Sequence, residues 1–282
     1  TPDLTLFPYT TLFRSTDPIC PFCTDQFKKQ PPVRPIPTQR VLEKLDEYLG
    51  RNDYDSAERH LLYWLDEAKD GRDKHGMLTV ENELMGLYRK TNRKEKALES
   101  VRKALNLIDE LKLGSAVVEG TTFTNAATVY KAFAMPEESI ELFEKAKEIY
   151  EKELQSDDPR LGGLYNNLGL TLTDLKRFDE AEEYYNKAIN VMSDNKNGEL
   201  EIAITYLNLC DLNEAKLGSE QSEKIIDEYI EKAYELLNRD YLPRNGYYAF
   251  VCEKCAPTFG YFGRFLYQKE LSDRARCIYE RN

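Results

Sequence analysis

The stretch from Gly162 to Asp194, GGLYNNLGLTLTDLKRFDEAEEYYNKAINVMSD, contains the clearest repeating unit of the sequence. Its first half carries residues at the spacing i, i+3, i+4 and i+7, which lie on one face of a helix: Tyr165, Leu168, Gly169 and Leu172. Arg177 and Phe178 then make a turn, and a second helix face follows with Ala181, Tyr185 and Ala188. The stretch therefore predicts a helical hairpin whose helices approach closely at small residues.

The same hairpin recurs through the middle of the chain with spacings of 42, 42 and 41 residues. The residue at the closest approach, which we call the small-residue position of the first helix, is Met85, Ala127, Gly169 and Cys210 in successive units. The second helices repeat with the same period at Ala97, Ser139 and Ala181, and again at Ala104, Ala146 and Ala188. A period in this range is typical of stacked helical hairpins, so the sequence predicts a solenoid.

These residues resemble the tetratricopeptide repeat, whose pattern is W-x2-L-G-x2-Y followed by A-x3-F-x2-A. Glu81 replaces the first aromatic residue in one unit, and another unit fits with an insertion of four residues around Gly218–Ser222. A closing unit is predicted from Phe259, Phe262, Gly263, Leu266, Ala275 and Tyr279. The long period resembles the kinesin-light-chain type of array, and the segment Asn82–Arg89 (NELMGLYR) resembles repeats of bacterial proteins.

The resemblance implies an all-α fold, a right-handed superhelical solenoid of antiparallel helix pairs across residues 38–282. We expect its units to start near residues 38, 78, 120, 162, 203 and 256. Residues 1–15 read as the translation of a short-read sequencing adapter, so they are excluded from the fold and the natural start stays open. Residues 16–37 are rich in proline, which predicts an extended linker.

Composition excludes several classes of function. The net charge is −11 at pH 7, and phosphate contacts need clustered Lys and Arg, so nucleic acid is not an expected partner. No apolar run reaches the ~18 residues that a membrane span needs. A chain of 282 residues can bury a core without disulfides, so its six cysteines indicate a reduced, cytoplasmic protein.

Two C-x-x-C pairs are candidates for metal or redox chemistry, Cys20 with Cys23 and Cys252 with Cys255. They have the ligand count for zinc but lie at opposite ends of the predicted solenoid, so we expect no metal. The first pair resembles the dithiol of glutaredoxins without its strand–helix context. The second pair fits packing positions in a predicted helix, Tyr247–Tyr267. No catalytic Ser/His/Asp pairing, H-E-x-x-H motif or glycine-rich phosphate loop occurs, so we expect neither an enzyme nor a cofactor.

The best candidate site is the groove lined by the first helices, which form the concave side of a stacked array. Asparagines recur there in successive units and form a predicted ladder: Asn82, Asn125, Asn166, Asn167 and Asn208. Each amide offers a donor and an acceptor, so the ladder can bind the backbone of an extended peptide. The alternative is that these asparagines bond only to neighbouring helices.

Charges divide along the same face. Basic residues lie in the earlier units, at Arg89, Lys90 and Lys131, and acidic residues lie in the later ones, at Asp174, Asp211 and Glu214. We therefore predict an extended peptide whose acidic end lies toward Arg89 and Lys131 and whose basic end lies toward Asp211 and Glu214.

The sequence thus favours a non-enzymatic scaffold, bacterial and cytoplasmic, that binds a protein or an extended peptide. One alternative is a peptide-sensing regulator whose N-terminal effector domain is missing from the chain. A second alternative is a thiol-redox or zinc-binding protein that uses the C-x-x-C pairs. The ligand and the oligomeric state stay open.

Overall fold

A computed structural model describes residues 32–111 and 116–280. Within these ranges the chain forms twelve α-helices and no β-strand. In chain order they are α1 (Thr38–Gly50), α2 (Tyr54–Asp70), α3 (Lys74–Lys90), α4 (Lys94–Leu111), α5 (Ala116–Ala132), α6 (Pro136–Glu153), α7 (Pro159–Asp174), α8 (Phe178–Ser193), α9 (Glu199–Leu217), α10 (Ser219–Leu237), α11 (Gly246–Tyr261) and α12 (Phe265–Tyr279).

The helices pack as consecutive hairpins, each formed by an odd-numbered helix and the even-numbered helix that follows it. From α3 onward, each odd-numbered helix also contacts the next odd-numbered helix, so α3, α5, α7, α9 and α11 lie side by side. We call the surface that they share the A face. The predicted all-α solenoid of antiparallel helix pairs is confirmed. None of the described helices is both long and apolar enough to cross a membrane.

Every hairpin turn contains one residue in the left-handed backbone conformation, with φ between 55° and 80°: Asn52, Asn92, Ala134, Lys176, Gly218 and Gly263. In five of the six turns, the next residue donates its N–H to a carbonyl five residues earlier, as Arg177 does to Leu172 over 2.8 Å. This Schellman geometry satisfies carbonyls that the helix end leaves without partners. The turns at Asn92, Ala134, Lys176 and Gly218 follow one another at 42-residue intervals, which confirms the period independently of the core.

The predicted four-residue insertion around Gly218–Ser222 is wrong. Helix α9 ends at Leu217 and α10 begins at Ser219, so Gly218 alone forms the turn, with φ of 80°. Ser222 is fully buried at the position that Ala97, Ser139 and Ala181 hold in earlier units. Its hydroxyl donates to the Gly218 carbonyl over 2.7 Å, so a polar residue is accommodated at a packing position.

The register predicted for the closing unit is also wrong. Helix α11 runs from Gly246 to Tyr261, so it begins before the expected start near 256 and ends before Tyr267. Gly263 lies in the turn with φ of 77°, and Leu266 is 81% exposed instead of packed. Ala256, 2% exposed, takes the small-residue position. Phe262 and Gly263 match the sequence pattern of a repeat core, but Gly263 forms a turn with positive φ, a conformation that residues other than glycine adopt with strain.

The described end of the proline-rich segment, residues 32–37, is non-helical and packs against the connection between α2 and α3. The Arg34 N–H donates to the Gly71 carbonyl and the Ile36 N–H donates to Asp73 Oδ2, each over 2.9 Å. Asp73 Oδ1 also accepts from the Gly76 N–H over 2.9 Å and so caps α3. A Cβ at Gly71 would collide with the Arg34 carbonyl oxygen. Residues 34–36 are therefore fixed to the array.

The hairpins achieve their closest approach through the small-residue position. In α7, a Cβ added at Gly169 would lie 2.6 to 2.8 Å from ring atoms of Tyr185, which is fully buried in α8. In α5 and α9 the equivalent residues Ala127 and Cys210 are likewise fully buried. The sequence pattern therefore identified the contacts that set the spacing between paired helices.

Candidate functional site

The asparagine ladder lies on the A face, and most of its amides bond between neighbouring helices. Asn82 of α3 donates from Nδ2 to Thr122 Oγ1 of α5 over 3.0 Å. Asn125 of α5 donates from Nδ2 back to Asn82 Oδ1 over 2.8 Å. These three side chains form a polar cluster that joins α3 to α5.

An equivalent cluster joins α7 to α9, two repeats later. Asn166 is 8% exposed, and its Oδ1 accepts from Thr205 Oγ1 over 3.2 Å and from Asn208 Nδ2 over 3.0 Å. Buried amides need such partners, because an unsatisfied polar group in the core is costly. Inter-helix bonding, the alternative expected for the ladder, therefore describes Asn82, Asn125, Asn166 and Asn208.

One acceptor position stays open in three successive units. Asn125 and Asn208 use Nδ2 for the inter-helix bonds, and Asn167 uses Nδ2 to donate to the Gly163 carbonyl over 2.9 Å. The Oδ1 atoms of these three residues have no hydrogen-bond partner within residues 32–111 and 116–280, and all three side chains are half-buried. The A face thus presents a row of amide carbonyls, one on each of α5, α7 and α9.

Two of the predicted basic residues are already engaged. Lys131 Nζ lies 3.4 Å from Asp174 Oδ2, so this pair largely neutralises the middle of the A face. Lys90 Nζ lies 5.3 Å from the centroid of the Tyr54 ring, a cation–π contact toward the first hairpin. The charges that could still divide along the A face are therefore those of residues nearer its two ends.

Among the charged residues predicted for the site, Arg89 and Asp211 are exposed and form no ion pair within the described residues. Arg89 is exposed, and no ion pair is formed by it within the part of the chain that the structure describes. The surrounding protein nevertheless desolvates its guanidinium and lowers the pKa. Asp211 is also exposed, and desolvation, followed by the repulsion of Glu214, raises its pKa to about 6. Both groups are accessible yet incompletely hydrated, which favours pairing with a ligand charge.

Glu214 has partners that the sequence did not reveal. Its Oε2 accepts from the Tyr261 hydroxyl of α11 over 2.9 Å, and its Oε1 accepts from Ser219 Oγ over 2.9 Å. Tyr261 is 69% exposed, so this contact places an aromatic ring on the A face beside Asp211. The misassigned register of the closing unit concealed this residue.

Sequence reasoning also missed three polar residues of the face. Thr122 and Thr205, which complete the two asparagine clusters, are buried and lie two repeats apart, and this periodicity was a usable signal. Glu83 lies beside Asn82 on α3, and desolvation together with Asp46 raises the pKa of its carboxyl. No spacing in the sequence distinguishes Glu83 from the many solvated glutamates of the helices.

The two cysteines of the second C-x-x-C pair are packing residues. Cys252 is fully buried and Cys255 is 2% exposed, both on α11. Desolvation raises the pKa of both thiols, that of Cys255 to about 12, so they stay protonated and are poor nucleophiles and poor metal ligands at neutral pH. Cys20 and Cys23 lie outside the described residues. Within the described ranges no group of three or more His, Cys, Asp or Glu side chains is arranged to hold a metal ion.

The family comparison identifies the repeat. Residues 118–194 match the family model of the tetratricopeptide repeat, and none of the curated proteins matches the chain. The fold is similar to that of a Podosopora anserina protein described as a kinesin light chain with nearly identical TPR-like repeats. That similarity has a TM-score of 0.51 at 16% sequence identity and covers 72% of this chain and 95% of that one.

A second solved structure, PilW, is described as a widely conserved type IV pilus biogenesis factor. It is similar with a TM-score of 0.54 at 15% identity, over 88% of this chain and 96% of that one. At such low identity these similarities concern the fold alone. Residues 118–194 therefore contain matched tetratricopeptide repeats, and the described helices share the fold of these solved structures.

Proposed function

We propose that this protein is a non-enzymatic scaffold that binds an extended peptide along the A face. The observation that carries the proposal is the row of unpartnered amide oxygens at Asn125, Asn167 and Asn208. The inter-helix bonds hold Asn125 and Asn208 in fixed orientations, so their acceptors are organised before a ligand arrives. Such preorganisation lowers the entropy that binding costs.

The spacing of the acceptors suits an extended chain. Packed helices lie about 8–10 Å apart, and an extended peptide advances about 3.3 Å per residue. About three peptide residues therefore pass each repeat. In the polyproline II conformation, which has three residues per turn, every third backbone N–H points to the same side and can donate to the next asparagine. Contacts of this kind use the peptide backbone, so the row sets where the ligand lies without selecting its side chains.

Charge supplies the direction of the ligand. Arg89 offers a positive group at the earlier end of the face, and Asp211 offers a negative group at the later end. The Lys131–Asp174 pair between them contributes little net charge. The proposed peptide therefore carries its acidic end toward Arg89 and its basic end toward Asp211.

A pair of defined probes tests both parts of the proposal. A fluorescein-labelled twelve-residue peptide with two aspartates at one end, two lysines at the other and Ser/Val between them is compared by anisotropy with its reversed sequence. We expect one direction to bind at least tenfold more tightly, and we expect Arg89→Glu to remove that preference. An unchanged preference in Arg89→Glu, and in the double variant with Lys131→Glu, would refute the assigned direction.

The asparagine row has its own control. Asn125→Ala, Asn167→Ala and Asn208→Ala are each expected to weaken binding of the preferred peptide. Asn186→Ala, an exposed asparagine on α8 away from the A face, is expected to leave it unchanged. Equal effects at all four positions would contradict a ligand on the A face.

The cytoplasmic location stays a prediction, as does the regulator alternative. A helix-turn-helix segment at the start of the complete gene would favour the regulator.

A further inference from the structure

A lysine covers an aromatic ring in three successive repeats. The ring stands at the first aromatic position of the odd-numbered helix, and the lysine comes from the even-numbered partner. In each case Nζ lies 5.8 Å from the ring centroid: Lys145 over Phe123, Lys187 over Tyr165 and Lys232 over Tyr206. These cation–π pairs close the outer side of each hairpin.

The hairpin of α3 and α4 breaks this pattern. Glu81 stands where the others have a ring, and the Nζ atom of Lys103 lies 3.9 Å from its Oε1. Glu81 is 2% exposed, and its Oε2 has no hydrogen-bond partner among the residues that the structure describes. Burial raises the pKa of the carboxyl, while Ser100 and Lys103 act in the opposite direction. A buried acceptor without a partner is unusual and needs a physical explanation.

The shorter side chain leaves space where the neighbouring repeats hold an aromatic ring. A cavity of about 190 Å³ lies beside Glu81. Its apolar walls include Leu65, Leu84 and Tyr88, and its polar side is formed by Lys96, Glu99, Ser100 and Lys103. Leu62 at its edge is 41% exposed, so the cavity opens to the surface between α2 and α4. An apolar cavity of about 150 Å³ is large enough to hold a benzene ring.

We propose that this cavity, the Glu81 pocket, receives a tyrosine side chain of a partner protein. The ring would lie beneath Lys103. Glu81 Oε2 is itself buried, so the carboxyl would rotate toward the cavity to accept from the phenol hydroxyl. Tyr165 shows the same combination within the chain, because Lys187 covers its ring and its hydroxyl donates to Glu151 Oε1 over 3.0 Å.

The chemistry of the pocket discriminates between ligands. A phenylalanine ring fits the walls but would seal the Glu81 oxygen away from water without a donor. A lysine side chain offers donors, but its ammonium would face those of Lys96 and Lys103, and Lys103 Nζ already lies 2.7 Å from Glu99 Oε1 and 3.9 Å from Glu81 Oε1. A phenol supplies the donor without adding positive charge.

The Glu81 pocket is separate from the proposed peptide site. Its lining comes from α2, α3 and α4, and none of the asparagines of the A face contributes to it. Loss of one site therefore leaves the other available for measurement.

The test measures binding of N-acetyltyrosinamide by shifts of the Glu81 and Leu84 amide signals in ¹⁵N NMR spectra of the whole chain. We expect millimolar affinity, at least tenfold tighter than for N-acetylphenylalaninamide or n-butylammonium. Glu81→Phe restores the ring found at Phe123, so we expect it to fold and to lose at least tenfold in affinity. Glu95→Gln, an exposed carboxyl on α4 outside the pocket, serves as the matched control and is expected to bind unchanged.

Glu81→Leu separates the acceptor from the space, since it keeps much of the cavity and removes the carboxylate. We expect it to bind both aromatic amides equally. Equal binding of the two amides by the unaltered chain would overturn the proposal, and so would tighter binding of n-butylammonium. Binding of free p-cresol without N-acetyltyrosinamide would assign the pocket to a small phenol and refute a partner side chain.

Discussion

Two glycines of α7 allow the close helix approach to be measured against an internal control. Gly163 and Gly169 lie in the same helix, six residues apart. A Cβ at Gly163 would meet no atom within 4 Å, whereas a Cβ at Gly169 would lie 2.6 to 2.8 Å from the buried ring of Tyr185. Alanine at either position therefore favours the helical backbone more than glycine does, but it creates a clash only at Gly169.

The magnitudes follow from these contacts. Alanine in place of a helix-interior glycine gains about 0.5–1 kcal/mol, so Gly163→Ala is expected to raise the free energy of unfolding by that amount. Gly169→Ala has the same gain but overpacks the interface with Tyr185, which costs about 1–3 kcal/mol. We expect a net loss of about 0.5–2 kcal/mol, because Tyr185 has no free space into which to move.

Urea unfolding followed by far-UV circular dichroism measures both variants against the unaltered chain. Because a repeat array need not unfold in a single step, hydrogen exchange of the α7 and α8 amides locates the change. If Gly169→Ala is stabilised as much as Gly163→Ala, the small-residue position does not set the spacing of the hairpin and the reasoning is refuted.

Three further perturbations have defined outcomes. Asp73→Ala removes the cap of α3 and leaves the buried Ile36 N–H without an acceptor, so we expect a loss of about 2–4 kcal/mol in urea unfolding and faster hydrogen exchange of the Ile36 amide. Lys176→Gly relieves an exposed left-handed residue with φ of 59° and is expected to stabilise by up to about 1 kcal/mol, seen as a higher urea midpoint. Asp211 has a raised folded pKa of about 6, so the folded chain binds its proton more tightly than the unfolded chain. The contribution of Asp211 to the free energy of unfolding is therefore fully favourable below about pH 4, falls as the pH rises toward 6 and is absent at higher pH. Asp211→Asn should abolish this part of the pH dependence of the urea midpoint, and an unchanged profile would contradict the assignment.

The residues that the sequence placed correctly are those whose role depends on size and period. Ala127, Gly169 and Cys210 are all fully buried at helix approaches, because close packing admits only particular volumes at a fixed spacing. Ser222 was missed because an insertion was assumed around Gly218–Ser222, although Ser139 holds the same position in an earlier unit and a hydroxyl that bonds within its own helix can be buried. Gly263 was misassigned because glycine suits both a close approach and a left-handed turn.

The candidate site was predictable in its position but not in its bonding. The asparagines fall on the A face as expected, since helical periodicity alone determines the face. Which amide bonds to which depends on distances between helices, as in the bond from Asn125 to Asn82, 43 residues away. The Lys131–Asp174 pair depends on the same distances between helices, which the sequence does not give. Two of the charged residues predicted to contact a ligand are therefore paired with each other within the chain.

The polar clusters have a mechanical consequence. They join α3 to α5 and α7 to α9, but the equivalent position between α5 and α7 holds Thr124, which bonds to Gly120 of its own helix. Directional bonds resist sliding of one helix past another, whereas apolar contacts tolerate small shifts. Between α5 and α7 the polar contact is the Lys131–Asp174 ion pair, which is partly exposed and less directional than the amide bonds. This junction is therefore softer than the two blocks that it joins. We expect changes in the pitch of the superhelix to concentrate there, so the A face can change its length near the middle while its ends keep their shape.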